Sequence, residues 1–159
     1  EFRRVLFRSD ELSVLLSTRN ITIAGRGLVI REYTLVDMLQ LGDKLDALTH
    51  SLAEVMQTPW PLIEEIEAVL RKHAGDIPEL IACSVDQPVQ WVALLPAGEG
   101  QSLIDWWWTQ NRRFFMNAVV RLETIRATRA KLSASAASSQ PSSGPDTTRA
   151  GSEPTPSAS

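Results

Sequence analysis

The sequence is poor in the residues from which most catalytic and metal sites are built. It has one cysteine, Cys83, and two histidines, His50 and His73. One cysteine excludes an intramolecular disulfide framework and a cysteine-rich metal site, and fits a reducing compartment. The three imidazole and thiol groups lie far apart without a paired ligand motif. No long hydrophobic run is present either. The stretch Phe114-Phe115-Met116-Asn117-Ala118-Val119-Val120-Arg121 is interrupted by an amide and ended by a charge. Nothing approaches the ~20 apolar residues of a membrane span.

Phosphate and nucleophile motifs are missing too. Gly25-Arg26-Gly27 is short and leads into a strand pattern, and Gly98-Glu99-Gly100 lacks the Lys-Ser/Thr of a phosphate-binding loop. No Gly-x-Ser-x-Gly occurs, and Cys83 lies among Leu80, Ile81, Ala82 and Val85, the setting of a buried structural thiol. Glu64, Glu65 and Glu67 read as the solvated front of a helix rather than an acid–base pair. No catalytic residue, metal or cofactor is therefore expected, and the chain is read as non-enzymatic.

The first nine residues, Glu1 to Ser9, resemble a basic arm. Back-translated as GAG-TTC-AGA-CGT-GTG-CTC-TTC-CGA-TCT, they match the end of a common sequencing adapter codon for codon. We expect residues 1–9 to be an adapter artefact, with the natural start missing before Asp10. A natural coding region continuous through these codons would refute this. Setting aside Glu1, Arg3, Arg4 and Arg8 leaves 13 basic and 18 acidic residues, a net charge of −5. That balance argues against nucleic-acid binding. The weak helix-turn-helix pattern around Ala82–Val92 fits it no better, because residues 78–95 contain no lysine or arginine.

What is present reads as a mainly α protein. The organisation expected is a short N-terminal β-hairpin packed on a bundle of about five helices, with a long C-terminal helix and a disordered tail. Asn20–Ala24 and Leu28–Glu32 are β-rich runs around a glycine-containing loop. Thr34 can cap a helix, with Asp37 three residues on. Met38, Leu41, Leu45, Leu48, Leu52 and Val55 then make one apolar stripe. Thr58-Pro59-Trp60-Pro61 ends that helix. Pro61 begins a second, whose buried face is expected from Leu62, Ile63, Ile66, Val69 and Leu70. Asp76-Ile77-Pro78 and Asp86-Gln87-Pro88 open two shorter helices. Residues 96–100 read as a loop, and the last helix as roughly Gln101 to Leu132. From Ser133 to Ser159 the composition is almost entirely Ser, Ala, Pro, Thr and Gly with no large apolar side chain, so disorder is expected. The folded domain is thus 10–132 and the tail 133–159.

The densest signal is Asp105-Trp106-Trp107-Trp108-Thr109-Gln110-Asn111-Arg112-Arg113-Phe114-Phe115-Met116. Consecutive helical residues are about 100° apart, so three tryptophans cannot share one core face. Trp107 and Phe114 lie near one line, Trp108 and Phe115 near the next, and Trp106 falls towards the edge or outside. Exposed aromatic edges suit protein binding. Trp106, Trp107, Trp108, Phe114, Phe115 and Trp60 are the candidate partner-binding residues. The arginines of the last helix read as a cationic solvated face.

The order of these features resembles the tail assembly chaperones of lambda-like and Mu-like bacteriophage tail modules. The matching pieces are Ile21 to Tyr33, the amphipathic helix after it, Ala82 to Val92, and Trp107-Trp108-Thr109-Gln110-Asn111-Arg112-Arg113-Phe114-Phe115. The likeness covers about Leu12 to Leu132 and lies in diffuse patterning, not in a catalytic signature. It implies a chaperone that binds the long helical tape-measure protein and keeps it soluble until tail-tube subunits polymerise. The tail-tube protein and self-association are further interactions it admits. It implies residence in the host cytoplasm during assembly and absence from the mature virion, with no membrane partner. The alternatives are a structural tail completion or connector protein, and a small regulator touching nucleic acid through the last helix.

Overall fold

The computed structural model describes residues 18–57, 62–138 and 151. The adapter-like residues 1–9, Pro59, Trp60 and Pro61, and the tail residues 139–150 and 152–159 lie outside them. The chain is mainly helical, with one antiparallel hairpin and six α-helices among the described residues. Described residues up to Arg126 belong to one compact unit, those from Ala127 to a second.

Strand β1 (Thr18–Ile23) pairs with β2 (Arg26–Arg31) in a register that sets Ile21 opposite Leu28 and Ile23 opposite Arg26. Alternation puts Ile21, Ile23, Leu28 and Ile30 on one face, and the last three are buried. The turn residues Ala24 and Gly25 both have positive φ, 49° and 73°. This is the two-residue hairpin turn whose twist suits the strands. The Ala24 amide donates to Glu99 Oε2 at 2.9 Å, which ties the turn to the last helix.

Thr34 and Asp37 form a reciprocal capping box at the start of α1 (Leu35–Gln40). The helix expected to run on from there divides at Leu41, and α2 spans Gly42–Val55. Gly42 supplies the reason, since glycine is among the poorest helix formers. Leu45, Leu48 and Leu52 of the expected stripe are buried, and Leu41 and Val55 pack against them.

Helix α3 (Ile63–Lys72) buries Val69 and Leu70, but Leu62 and Ile63 are about two-thirds exposed at 64% and 67%. Both were expected on the buried face and instead stand in solvent. Leu62 precedes the helix and Ile63 opens it, whereas its buried positions, Val69 and Leu70, come in the later turns. Helix α4 (Ile77–Val85) has Pro78 in its first turn and ends at Asp86, whose φ of 51° is left-handed. Aspartate tolerates that conformation better than most residues. Helix α5 (Val89–Ala93) follows Pro88.

The last helix, α6, runs Ala97–Ser138, longer at both ends than its pattern suggests. Its first turn takes in the glycines expected to form a loop, and Gly100 N–H bonds the Pro96 carbonyl at 2.8 Å. Beyond Leu132, alanines favour the helix. The hydroxyls of Ser133 and Ser135 bond carbonyls of the preceding turn. The tail expected from Ser133 therefore begins as helix. No helix among the described residues is long and apolar enough to cross a membrane.

Candidate partner-binding surface

The buried face of α6 repeats every four residues through Leu103, Trp107, Asn111, Phe115 and Val119. Trp107 and Phe115 are fully buried and meet edge to face at 5.6 Å between centroids. Trp108 stacks on Phe115 at 5.7 Å, and Phe114 meets Tyr33 at 5.3 Å. Such pairs contribute roughly 0.5–1.5 kcal/mol each beyond burial. Four of the six candidate residues thus belong to one aromatic cluster. In this fold Trp107 and Phe115 offer a partner no surface, and Trp108 and Phe114 offer a part. Trp60 lies outside the described residues.

Trp106 stands apart. It is 39% exposed, and the Arg19 guanidinium of β1 lies over its ring at 4.6 Å. Trp106, Thr109, Arg113, Met116 and Val120 recur at steps of three and four, within about 80° of arc on the outer side of α6. All five are exposed, Val120 by 63%. Tryptophan, methionine and arginine are the types enriched at protein interfaces. Met116, Val120 and Arg19 were missed by the sequence reading, which followed the aromatic run. The three–four spacing onward from Trp106 was the available signal. A second apolar exposure lies on α1, where Leu35, Val36 and Leu39 face solvent.

Beneath the surface a polar network fixes the hairpin to the helices. Arg31 bonds both carboxylate oxygens of Asp37, the carboxylate of Asp86 and the carbonyl of Cys83. Burial raises the Asp37 carboxyl, but hydrogen bonds from Arg31, Thr34 and Cys83 outweigh it and hold the group well below the usual carboxylate range. The hydrogen bond to Asp37 likewise raises the guanidinium of Arg31 against the opposing effect of burial. The Cys83 thiol donates to Asp37 Oδ1 at 3.2 Å. Burial first, and then Asp37, push it up to about 11, away from the reactive thiolate.

The network continues inward. Asn111 Oδ1 accepts from the Tyr33 amide at 3.2 Å, and Asn111 Nδ2 donates to Ser84 Oγ at 3.1 Å. Trp107 Nε1 donates to the Tyr33 hydroxyl at 2.9 Å, which itself donates to the Leu80 carbonyl. Among the described residues no buried side-chain nitrogen or oxygen lacks a partner. The arrangement is that of a saturated structural clasp. One Ser–His contact occurs, Ser51 Oγ with His73 Nε2 at 2.8 Å, where it joins α2 to the end of α3. No group of three or more His, Cys, Asp or Glu among the described residues could hold a metal ion.

Recesses border the helices. One of about 270 Å³ is lined by Leu70, Ala74, Ile77, Pro78 and Ile104, with Glu67 and Arg71 beside them. Another of about 360 Å³ lies against Met38, Thr49, His50, Ala118, Leu122 and Ile125, with Asp46 and Arg121 beside them.

No curated protein and no solved structure matches the chain. The pattern that defines a family of unknown function, DUF6631, matches residues 11–151, and the chain belongs to that family.

Proposed function

We propose that the chain is a non-enzymatic tail assembly chaperone that binds a helical tape-measure protein and keeps it soluble before the tail tube polymerises. The observation that carries this reading is apolar surface left outside the closed core, above all Trp106, Met116 and Val120 on one side of α6. A long helical client exposes apolar stripes that self-associate unless covered. A rigid helix carrying a tryptophan, a methionine and a valine at helical spacing can cover such a stripe in the helix-on-helix manner. Leu35, Val36 and Leu39 on α1 add apolar area of the same kind. The saturated clasp supports the reading indirectly, because it holds α6 firm while its outer side stays open.

The test is co-expression with the neighbouring tape-measure gene. The expected result is that the client moves from the insoluble to the soluble fraction and co-purifies with this chain. A client no more soluble with this chain than without it overturns the proposal. Purified mature particles give a second readout. A chaperone of host-cytoplasmic assembly is absent from them, whereas retention favours a connector or completion protein.

A further inference from the structure

The chain as a whole is acidic, with a net charge of −3, yet the outer side of α6 is framed by cations. Arg112 and Arg113 lie one turn before Met116, and Arg121 follows Val120. Arg19 lies over Trp106. Among the described residues none of these four arginines forms an ion pair. Of the neighbouring carboxylates, Glu123 pairs with Arg126, Asp105 accepts from the neutral amide of Gln101, and Asp46 shares a recess wall with Arg121 without an ion pair to it. An apolar seam with three–four spacing is therefore bordered by arginines that form no ion pair among the described residues.

We infer that this ridge docks an acidic amphipathic helix of another protein, one with an apolar seam flanked by Asp and Glu. The inference deepens the helix-binding reading above and rests on it. Three–four spacing is what a facing helix needs to interleave its side chains. Flanking charges of opposite sign set the choice of partner and speed encounter. A second copy of this chain is the poorer occupant. The ridge and its flanks carry Arg19, Arg112, Arg113 and Arg121 against Asp105 and Glu123, so a two-fold contact between copies leaves an excess of like charge on both sides. Nucleic acid is poorer too, because phosphate gains nothing from Met116 and Val120 between the cations.

The experiment uses the full chain and three-heptad helical peptides with leucine at both seam positions, labelled for fluorescence anisotropy. One peptide carries glutamate at the flanks, the other lysine. The expected result is binding of the glutamate peptide, weakened by salt, and about 10-fold or greater preference over the lysine peptide. The double variant Arg112→Glu/Arg113→Glu should reverse that preference, and Met116→Ser/Val120→Ser should weaken binding about 10-fold or more. All four positions are exposed, and circular dichroism checks that the variants keep their helix content. Equal binding of both peptides, or of neither, overturns the inference. So does a dimer that dissociates on Met116→Ser, or a random-sequence DNA duplex that outcompetes the glutamate peptide. Should the tape-measure protein stay insoluble while the glutamate peptide binds as expected, the chaperone reading fails and the acidic-helix site stands.

Discussion

Arg31 donates from Nη2 to the backbone carbonyl of Cys83 at 2.9 Å, across 52 positions of sequence. The same guanidinium holds Asp37, whose own carboxylate caps α1 through the Thr34 amide at 2.8 Å. Replacing Arg31 with methionine leaves the Asp37 charge largely buried and without its cation. The expected loss is about 3 kcal/mol, read from urea unfolding at pH 7. The pH dependence has a definite sign. Asp37 is held below its ordinary value of 3.8, so its contribution is complete above that value and fades as pH falls below it. Asp37→Asn should therefore be less stable than the parent at pH 7, with the difference narrowing below about pH 4. A gap that stays constant from pH 7 to pH 2.5 would contradict the charge pairing.

Cys83 gives a chemical readout of the same clasp. With its thiol pushed up to about 11, only a small part is thiolate near neutrality. Alkylation by iodoacetamide at pH 8 is expected to be about 100-fold slower than that of an ordinary exposed thiol. Asp37→Asn removes the repelling charge and leaves only a weaker, neutral acceptor, so the variant should react faster. Mass spectrometry of timed samples measures both rates. Equal rates in parent and variant would show that Asp37 does not govern the thiol.

Ala24 occupies a left-handed conformation, φ 49°, that disfavours a side chain with a Cβ. Asparagine tolerates it and is the preferred first residue of this turn before glycine. Ala24→Asn is expected to stabilise the chain by about 1 kcal/mol, seen as a raised thermal midpoint. The amide donating to Glu99 is unchanged by the substitution. A lowered midpoint would mean that the new side chain disturbs the contact between the turn and α6.

The hairpin, the Thr34 cap and the proline-led helices could be read from the sequence because each is specified by neighbours a few residues apart. Ile21 and Ile23 alternate with polar residues, and Thr34 sees Asp37 within one turn. The clasp could not be read this way. Tyr33 and Asn111 are 78 positions apart, and Arg31 and Asp86 are 55 apart. Only the finished packing makes them partners. Asn111 does carry a local hint, as an amide placed one turn from both Trp107 and Phe115 on the most buried line of α6. Leu62 and Ile63 show the opposite failure, since composition alone marks them as core while the start of α3 stands in solvent. For the surface, helical spacing separated Trp106 from Trp107. It did not extend the outer line to Met116 and Val120, because the adjacent Phe114 and Phe115 drew the reading inward.

Trp106 and Trp107 are neighbours in sequence with opposite surroundings, and their alanine variants should behave accordingly. Trp107 is wholly enclosed, packs edge-on against Phe115, and donates to Tyr33. Trp107→Ala leaves a large cavity and takes one of two hydrogen bonds from the Tyr33 hydroxyl, and should cost about 3–5 kcal/mol. Trp106→Ala removes a partly exposed ring and its contact with Arg19, worth about 0.5–1 kcal/mol. Urea unfolding of the two variants under one set of conditions compares them. The functional expectation runs the other way. Trp106→Ala should keep the fold and lose client binding, because an exposed tryptophan at the centre of an interface is a typical anchor. If Trp106→Ala proves as destabilising as Trp107→Ala, Trp106 serves the core, and the outer side of α6 loses the aromatic residue on which its partner would seat.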